Sequence, residues 1–161
     1  MNVINATTPD QDRPRVIALP PLVYLGFLLL GILTDLIWPT TLGAFPTRLV
    51  LGGAFLATGL VLAAWAVRTF ARAGTHVEVY RPATVLVTQG PYRLSRNPIY
   101  LGLSVAHVGA AILANSLWAL LLLLPALALI RYGVIAREEE YLERRFGEAY
   151  RRYKNAVRRW I

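Results

Sequence analysis

No cysteine occurs in this chain, which removes disulfides, thiol nucleophiles and thiolate metal sites. Histidine is nearly as scarce. His76 and His107 are the only two, and no metal site is expected from them. The phosphate-cradling run GxxxxGK[ST] is absent, and no glycine-rich turn follows a strand–helix pattern. Acidic residues number 9 against 17 Lys and Arg, for a formal net charge of +8. No separate basic domain carries that excess, so no nucleic-acid partner is expected. Positive charge of this kind collects on the cytoplasmic segments of membrane proteins.

What the chain has in abundance is apolar sequence. Hydrophobic residues make up 56% of its 161 residues, and mean hydropathy is +0.47. The excess falls in blocks of membrane-spanning length. The expected fold is an all-α integral membrane protein, with about four transmembrane helices and a C-terminal amphipathic cytoplasmic helix. The spans are expected at 19–38, 49–67, 98–114 and 117–135, the last two forming a tight hairpin through Asn115-Ser116. Residues 1–18 read as a loose cytoplasmic tail without the basic start or cleavage site of a signal peptide, and 19–161 as a single domain. Pro20, Pro21 and Pro98 suit helix starts, whereas Pro125 falls inside the fourth span and is expected to kink it. Asp35 reads as an interfacial carboxylate. The small residues Gly52, Gly53 and Gly59 would admit a neighbouring helix. Val85 to Thr88 has the character of a short extended piece.

From Arg137 to Ile161, the residues Leu142, Phe146, Ala149, Tyr150, Tyr153, Val157 and Trp160 recur at steps of three and four. That spacing predicts one apolar stripe on a helix over 137–161, lying on anionic lipid or packing as a lid over a site. The cations fix the orientation. Two lie in the tail, five in the connection after the second span and nine from Arg131 onward, leaving only Arg48 outside. Both termini are then cytoplasmic.

Two polar clusters sit at that cytoplasmic edge. The first, QGPYRLSRNPIYLG at 89–102, holds a Gly-Pro turn, Arg93, Arg96, Asn97, Tyr92 and Tyr100. Asn97 is a good N-cap for the helix that Pro98 opens. A helix N-terminus beside an arginine favours a carboxylate, and tyrosine faces suit an adenine or a sulfonium cation. The second cluster is REEEYL at 137–142. Arginine and helix N–H groups on one wall and carboxylates on the other match a zwitterionic ligand.

The runs FARAGTHV, LVTQGPYRLSRNPIYLG and EEEYLERRFGEAYRRYKNAVRRWI, over about residues 70–161, resemble the isoprenylcysteine carboxyl methyltransferase family and are similar to the related phospholipid methyltransferases. The resemblance implies an S-adenosylmethionine-dependent membrane methyltransferase. It places Leu86, Val87, Tyr92, Asn97, Pro98, Ile99, Tyr100 and Glu138 along the cofactor pocket, with Arg96 and Glu139 beside it. Arg131 or Arg96 would orient an anionic headgroup or carboxylate, so Arg96, Glu139 and Arg131 are the residues expected in catalysis. The acceptor is expected to be a lipophilic molecule or lipid entering from the bilayer. Where the family often has Arg-His-Pro, this chain has Arg96-Asn97-Pro98. Asparagine keeps a donor but is neither acid nor base. Val134 stands where prenylcysteine enzymes carry an arginine, which points away from prenylcysteine itself. Carboxylate and amine acceptors both stay open, as do an NADPH-dependent reductase of the sterol reductase type and a non-catalytic assembly partner.

Overall fold

The computed structural model describes Ile17 and residues 19–74 and 84–161. The expected tail over 1–18 lies, apart from Ile17, outside the described residues, as does the middle of the connection with His76 and Arg81.

All regular structure among the described residues is helical. Helix α1 spans Pro20–Thr34, α2 Phe45–Arg72, α3 Pro98–Leu113 and α4 Leu117–Ile130. Each begins at a sequence signal. Prolines occupy the first turn of α1, α2 and α3, where a missing N–H costs nothing. The α3–α4 turn uses Asn115 at φ +58, and the Ser116 hydroxyl caps α4 by accepting from the Ala119 N–H at 3.0 Å. The helical run continues through Pro125. The change of pattern comes at a π turn, Arg131–Ile135, which leads into α5, Ala136–Phe146. Residues 84–88 carry no regular structure.

Two helical stretches, Phe45–Arg72 and Leu117–Phe146, are long and apolar enough to cross a bilayer, while α1 and α3 are shorter, at 15 and 16 residues. The expected first span therefore ends its helix early, at Thr34, and the second is longer at both ends than expected. Large apolar side chains point outward: Val50, Val61 and Leu124 are each at least 66% exposed. The seams between helices are instead lined with glycine and alanine, the packing of helices whose surroundings are as apolar as their side chains. A Cβ added at Gly59 would lie 2.3 Å from the Ala106 nitrogen, and one at Gly31 2.3 Å from the Ala119 Cα. So α2 meets α3, and α1 meets α4, backbone to backbone. Gly52 and Gly59 serve this seam, whereas Gly53 faces open space.

The expected single helix over 137–161 is corrected. It breaks at Gly147, whose φ of +53 and ψ of −124 suit only glycine, and resumes as α6, Glu148–Ala156. Val157 turns extended, and residues 157–161 leave the helix. The apolar stripe survives the break. Leu142, Phe146, Tyr150, Tyr153 and Val157 all pack into one cluster with Ala66, Phe70, Val87 and Tyr92, which docks α5 and α6 on the end of α2; only Ala149 is exposed.

At the opposite end of the bundle the Trp118 Nε1–H donates to the Trp38 carbonyl at 2.9 Å, and the two rings lie 6.3 Å apart. Asp35 accepts from the Thr40 N–H there. His107 hydrogen-bonds a neighbour, its Nε2 lying 2.9 Å from the Ala119 carbonyl.

Candidate active site

The two polar clusters meet where α3 begins, against α5. The short 3₁₀ turn Gly90–Arg93 delivers the chain to this point, with Gly90 at φ +59. Pro91 and Tyr92 are buried by it. The Tyr92 ring meets Phe70 edge-on at 4.9 Å, and its carbonyl accepts from the Tyr153 hydroxyl at 2.7 Å. The Tyr92 hydroxyl itself is buried without a hydrogen-bond partner. Val87 is buried in the same cluster, and Leu86 packs against it. Pro98 is fully buried, and Ile99 bridges this cluster to the one around Tyr24 and Tyr100.

Tyr100 lies on the first turn of α3. Its hydroxyl donates to Glu138 Oε1 at 2.7 Å, so the contact between the clusters is direct. Its carbonyl accepts from Ser104 Oγ at 2.7 Å and from the Tyr24 hydroxyl at 3.2 Å. Tyr24 thus ties α1 to the start of α3.

Arg96 and Glu139 also come together, Nη1 lying 3.1 Å from Oε1, with each side chain 9% exposed. Glu139 has a second and firmer partner. Arg159 donates through Nε to Oε1 at 3.0 Å and through Nη2 to Oε2 at 2.6 Å, the two-pronged geometry that guanidinium and carboxylate share. Arg96 also hydrogen-bonds the Tyr150 hydroxyl, but its Nε and Nη1 have no hydrogen-bond partner.

Asn97 departs from its expected role. It holds the N-cap position, yet its side chain does not cap α3; Nδ2 instead donates to the Arg159 carbonyl at 3.0 Å. No side chain therefore caps the first turn of α3, and its N–H groups remain a place for an anion. Arg131 stands apart from the cluster. It is exposed at the start of the π turn, its guanidinium 5.4 Å from the Tyr132 ring centroid.

Burial pushes the Tyr92 and Tyr153 hydroxyls upward and the Tyr150 hydroxyl up to about 12. All three stay protonated at neutral pH and cannot serve as bases. The hydrogen bonds to Glu139 push the Arg159 guanidinium further up. Sequence reasoning missed Arg159, Tyr24, Ser104, Tyr150 and Tyr153 as members of the site. Only the two α6 tyrosines had a signal, their place on the stripe.

A family model for phospholipid methyltransferases matches residues 47–149. Over 63 residues the chain is 53% identical to an uncharacterized protein of Haemophilus influenzae, a stretch that is 39% of this chain and 79% of that protein. Over 68 residues it is 38% identical to the nickel-cobalt-cadmium resistance protein NccN of Alcaligenes xylosoxydans xylosoxydans, 42% of this chain and 32% of that one. No solved structure matches. The family match runs through α2, α3, the π turn and both glutamates, and it stops short of Tyr150 and Arg159. The chain belongs to the phospholipid methyltransferase family, that of the isoprenylcysteine carboxyl methyltransferase-like membrane methyltransferases.

Proposed function

We propose that this chain is an S-adenosylmethionine-dependent membrane methyltransferase that moves a methyl group to a carboxylate or amine of a lipophilic, isoprenoid- or phospholipid-like acceptor. The observation that carries the reading is a set of donors without acceptors beside a carboxylate. The Tyr92 hydroxyl and Arg96 Nε are buried and unfilled, Arg96 Nη1 has an ion-pair contact but no hydrogen bond, the first turn of α3 has no side-chain cap, and Glu138 lies close by on Tyr100. Unfilled buried donors are costly, and a ligand carboxylate would relieve that cost. Glu138 and the tyrosine faces fit the other end of the same molecule, with its cation, hydroxyls and adenine.

The cofactor, when bound, supplies an activated methyl on a sulfonium. The protein then has mainly to align. Arg96 and the start of α3 hold a carboxylate, Tyr92 and Tyr100 flank the cation, and Glu138 accepts from Tyr100 and from a ligand donor. Leu86, Val87, Pro98 and Ile99 form the apolar wall. In this reading α1 to α4 all cross the bilayer, with the termini and the site on the cytoplasmic side. Two features support it: Arg48 is the only cation in the segment assigned to the far side, and the Trp38–Trp118 pair at that end suits an interface. The acceptor's tail reaches the site from the lipid between helices.

The test is calorimetric titration of S-adenosylhomocysteine into the purified protein in detergent, with Glu138→Ala and Tyr92→Ala alongside. Binding in the micromolar range, lost in both folded variants, is expected. Thermal stabilisation separates the reductase reading, because a true cofactor at a hundredfold excess over Kd adds about 2.7 kcal/mol. Stabilisation by NADPH and none by S-adenosylhomocysteine would reject the proposal. So would full affinity in both variants.

A further inference from the structure

Residues 157–161 leave α6 and run back across the start of α3. Their hold there is concentrated on one residue. The Arg158 carbonyl accepts from the Arg96 N–H at 3.0 Å. The Arg159 carbonyl accepts from two side chains, Ser95 Oγ at 3.2 Å and Asn97 Nδ2 at 3.0 Å, while its guanidinium takes both oxygens of Glu139. Trp160 then packs against the cluster of Tyr24, Tyr100 and Ile130. Backbone and side chain of Arg159 together join the loop before α3 to α5.

The charge count follows from that geometry. Two guanidiniums share one carboxylate. Glu139 accepts its well-aligned hydrogen bonds from Arg159, and Arg96 Nη1 is left within ion-pair distance but without a hydrogen bond. A side chain of Arg96 that is 9% exposed thus keeps Nε without any partner and Nη1 with an ion-pair contact but no hydrogen bond. Were Arg159 absent, Glu139 would be free to turn both oxygens onto Arg96 and make of the single 3.1 Å contact a two-pronged, hydrogen-bonded pair.

We propose that Arg159 is a positioning residue of the site: by occupying Glu139 it keeps Arg96 open for the carboxylate of the ligand, and it fixes residues 157–161 as a wall beside that carboxylate. This rests on the methyltransferase reading above. Arg159 touches no reacting atom in this account. It acts through Glu139 and through the carbonyl that orients Asn97.

The test pairs two ligands and one readout that needs neither. S-adenosylhomocysteine carries the amino-acid carboxylate, and 5′-methylthioadenosine lacks it. Arg159→Ala is expected to weaken S-adenosylhomocysteine at least about tenfold, since the loss of one well-placed hydrogen bond to a charged group costs roughly that much or more in affinity. Binding of 5′-methylthioadenosine is expected to be unchanged. Arg159→Lys, which keeps the charge but not the two-pronged bond, falls between. Without ligand, hydrogen exchange of residues 157–161 is expected to accelerate in Arg159→Ala and Glu139→Gln, and no further in the double variant. If the wild-type protein binds S-adenosylhomocysteine and Arg159→Ala binds it equally, the positioning role is wrong. Parallel weakening of both ligands would also overturn it, reducing Arg159 to a general stabiliser. If the wild-type protein binds neither ligand, the methyltransferase reading fails and the ligand role of Arg159 with it. The exchange measurement then still decides whether Glu139 holds the wall.

Discussion

Replacing Gly109 with alanine asks how closely α2 and α3 must approach. The added Cβ would lie 2.2 Å from the Leu56 nitrogen and 2.7 Å from the Gly52 carbonyl oxygen, both backbone atoms that no rotamer can move. Ordinary contact begins at 3.4 Å, so the two helices must part by roughly 1 Å at that point. A gap of that size forfeits about a quarter to a half of the attraction along the widened seam. Overpacking a tight contact costs about 1–3 kcal/mol, and alanine returns at most about 1 kcal/mol in helix propensity. A net loss of about 1–2 kcal/mol is expected. Gly53 is the internal control. It lies in α2, the facing helix, next to the seam residue Gly52 but with nothing within 4 Å of an added Cβ, so Gly53→Ala should be neutral or slightly stabilising. The assay is equilibrium unfolding in mixed micelles with increasing SDS, followed by circular dichroism. If Gly109→Ala is as stable as Gly53→Ala, the seam is not close-packed as described and the argument from glycine fails. The same logic carries the effect to the site. Gly102, two residues after Tyr100, has Ala63 N and Gly59 O each 2.7 Å from an added Cβ, so Gly102→Ala should disturb the Tyr100–Glu138 contact as well as the fold.

Two further outcomes follow from single contacts. Tyr24→Phe removes the hydroxyl that joins α1 to the Tyr100 carbonyl and Ser104, while Ser104 still satisfies that carbonyl. A cost of about 1 kcal/mol is expected in the same SDS unfolding assay, and a loss above about 2 kcal/mol would mean that Tyr24 does more than tie the helices. Gly147→Ala meets no neighbour within 4 Å, so its whole cost is backbone strain at φ +53, of order 1–3 kcal/mol. It should appear as faster hydrogen exchange in α6 with the exchange of α2 and α3 unchanged; unchanged α6 exchange would show that the break there is not glycine-dependent.

The helices were legible because their signals are local. The prolines opening α1 and α3, the Asn115-Ser116 turn and the apolar runs between them need no tertiary information. The meeting of the two clusters was also legible, from charge and position at one edge of the bundle, and Tyr100 on Glu138 realises it. What was illegible depends on partners far away in sequence. Asn97 looks like an N-cap, and its local rule loses to a carbonyl 62 residues on. Gly147 was read through because the stripe keeps its period across it, and five of its side chains do land on one cluster, while Ala149 is exposed and Trp160 joins the cluster around Tyr24. Arg159 is one of six arginines that fall off the stripe, and nothing in its neighbours marks it as the one that binds Glu139. Arg131 had the right charge at the right edge, but it lies exposed over Tyr132.

The adjacent glutamates illustrate how little the residue type decides by itself. Glu139 has both oxygens committed to Arg159, with Arg96 beside it. Glu138 has one partner in hand, the Tyr100 hydroxyl on Oε1. Tyr92, Tyr150 and Tyr153 are held protonated, and Asn97 titrates not at all. On the proposed reading, Glu138 is therefore the one group of the cluster with an oxygen to offer a proton. An acceptor that attacks as a carboxylate needs no base, and such a site serves it by alignment alone. An ammonium must first lose a proton, and Glu138 would have to take it while also holding Tyr100. Glu138→Gln keeps the shape and an acceptor for Tyr100 but removes the base. Because Glu138 also faces the cofactor in this reading, the comparison is made at saturating S-adenosylmethionine, where transfer to a carboxylate should persist and transfer to an amine should be lost, so the variant sorts the two acceptor classes.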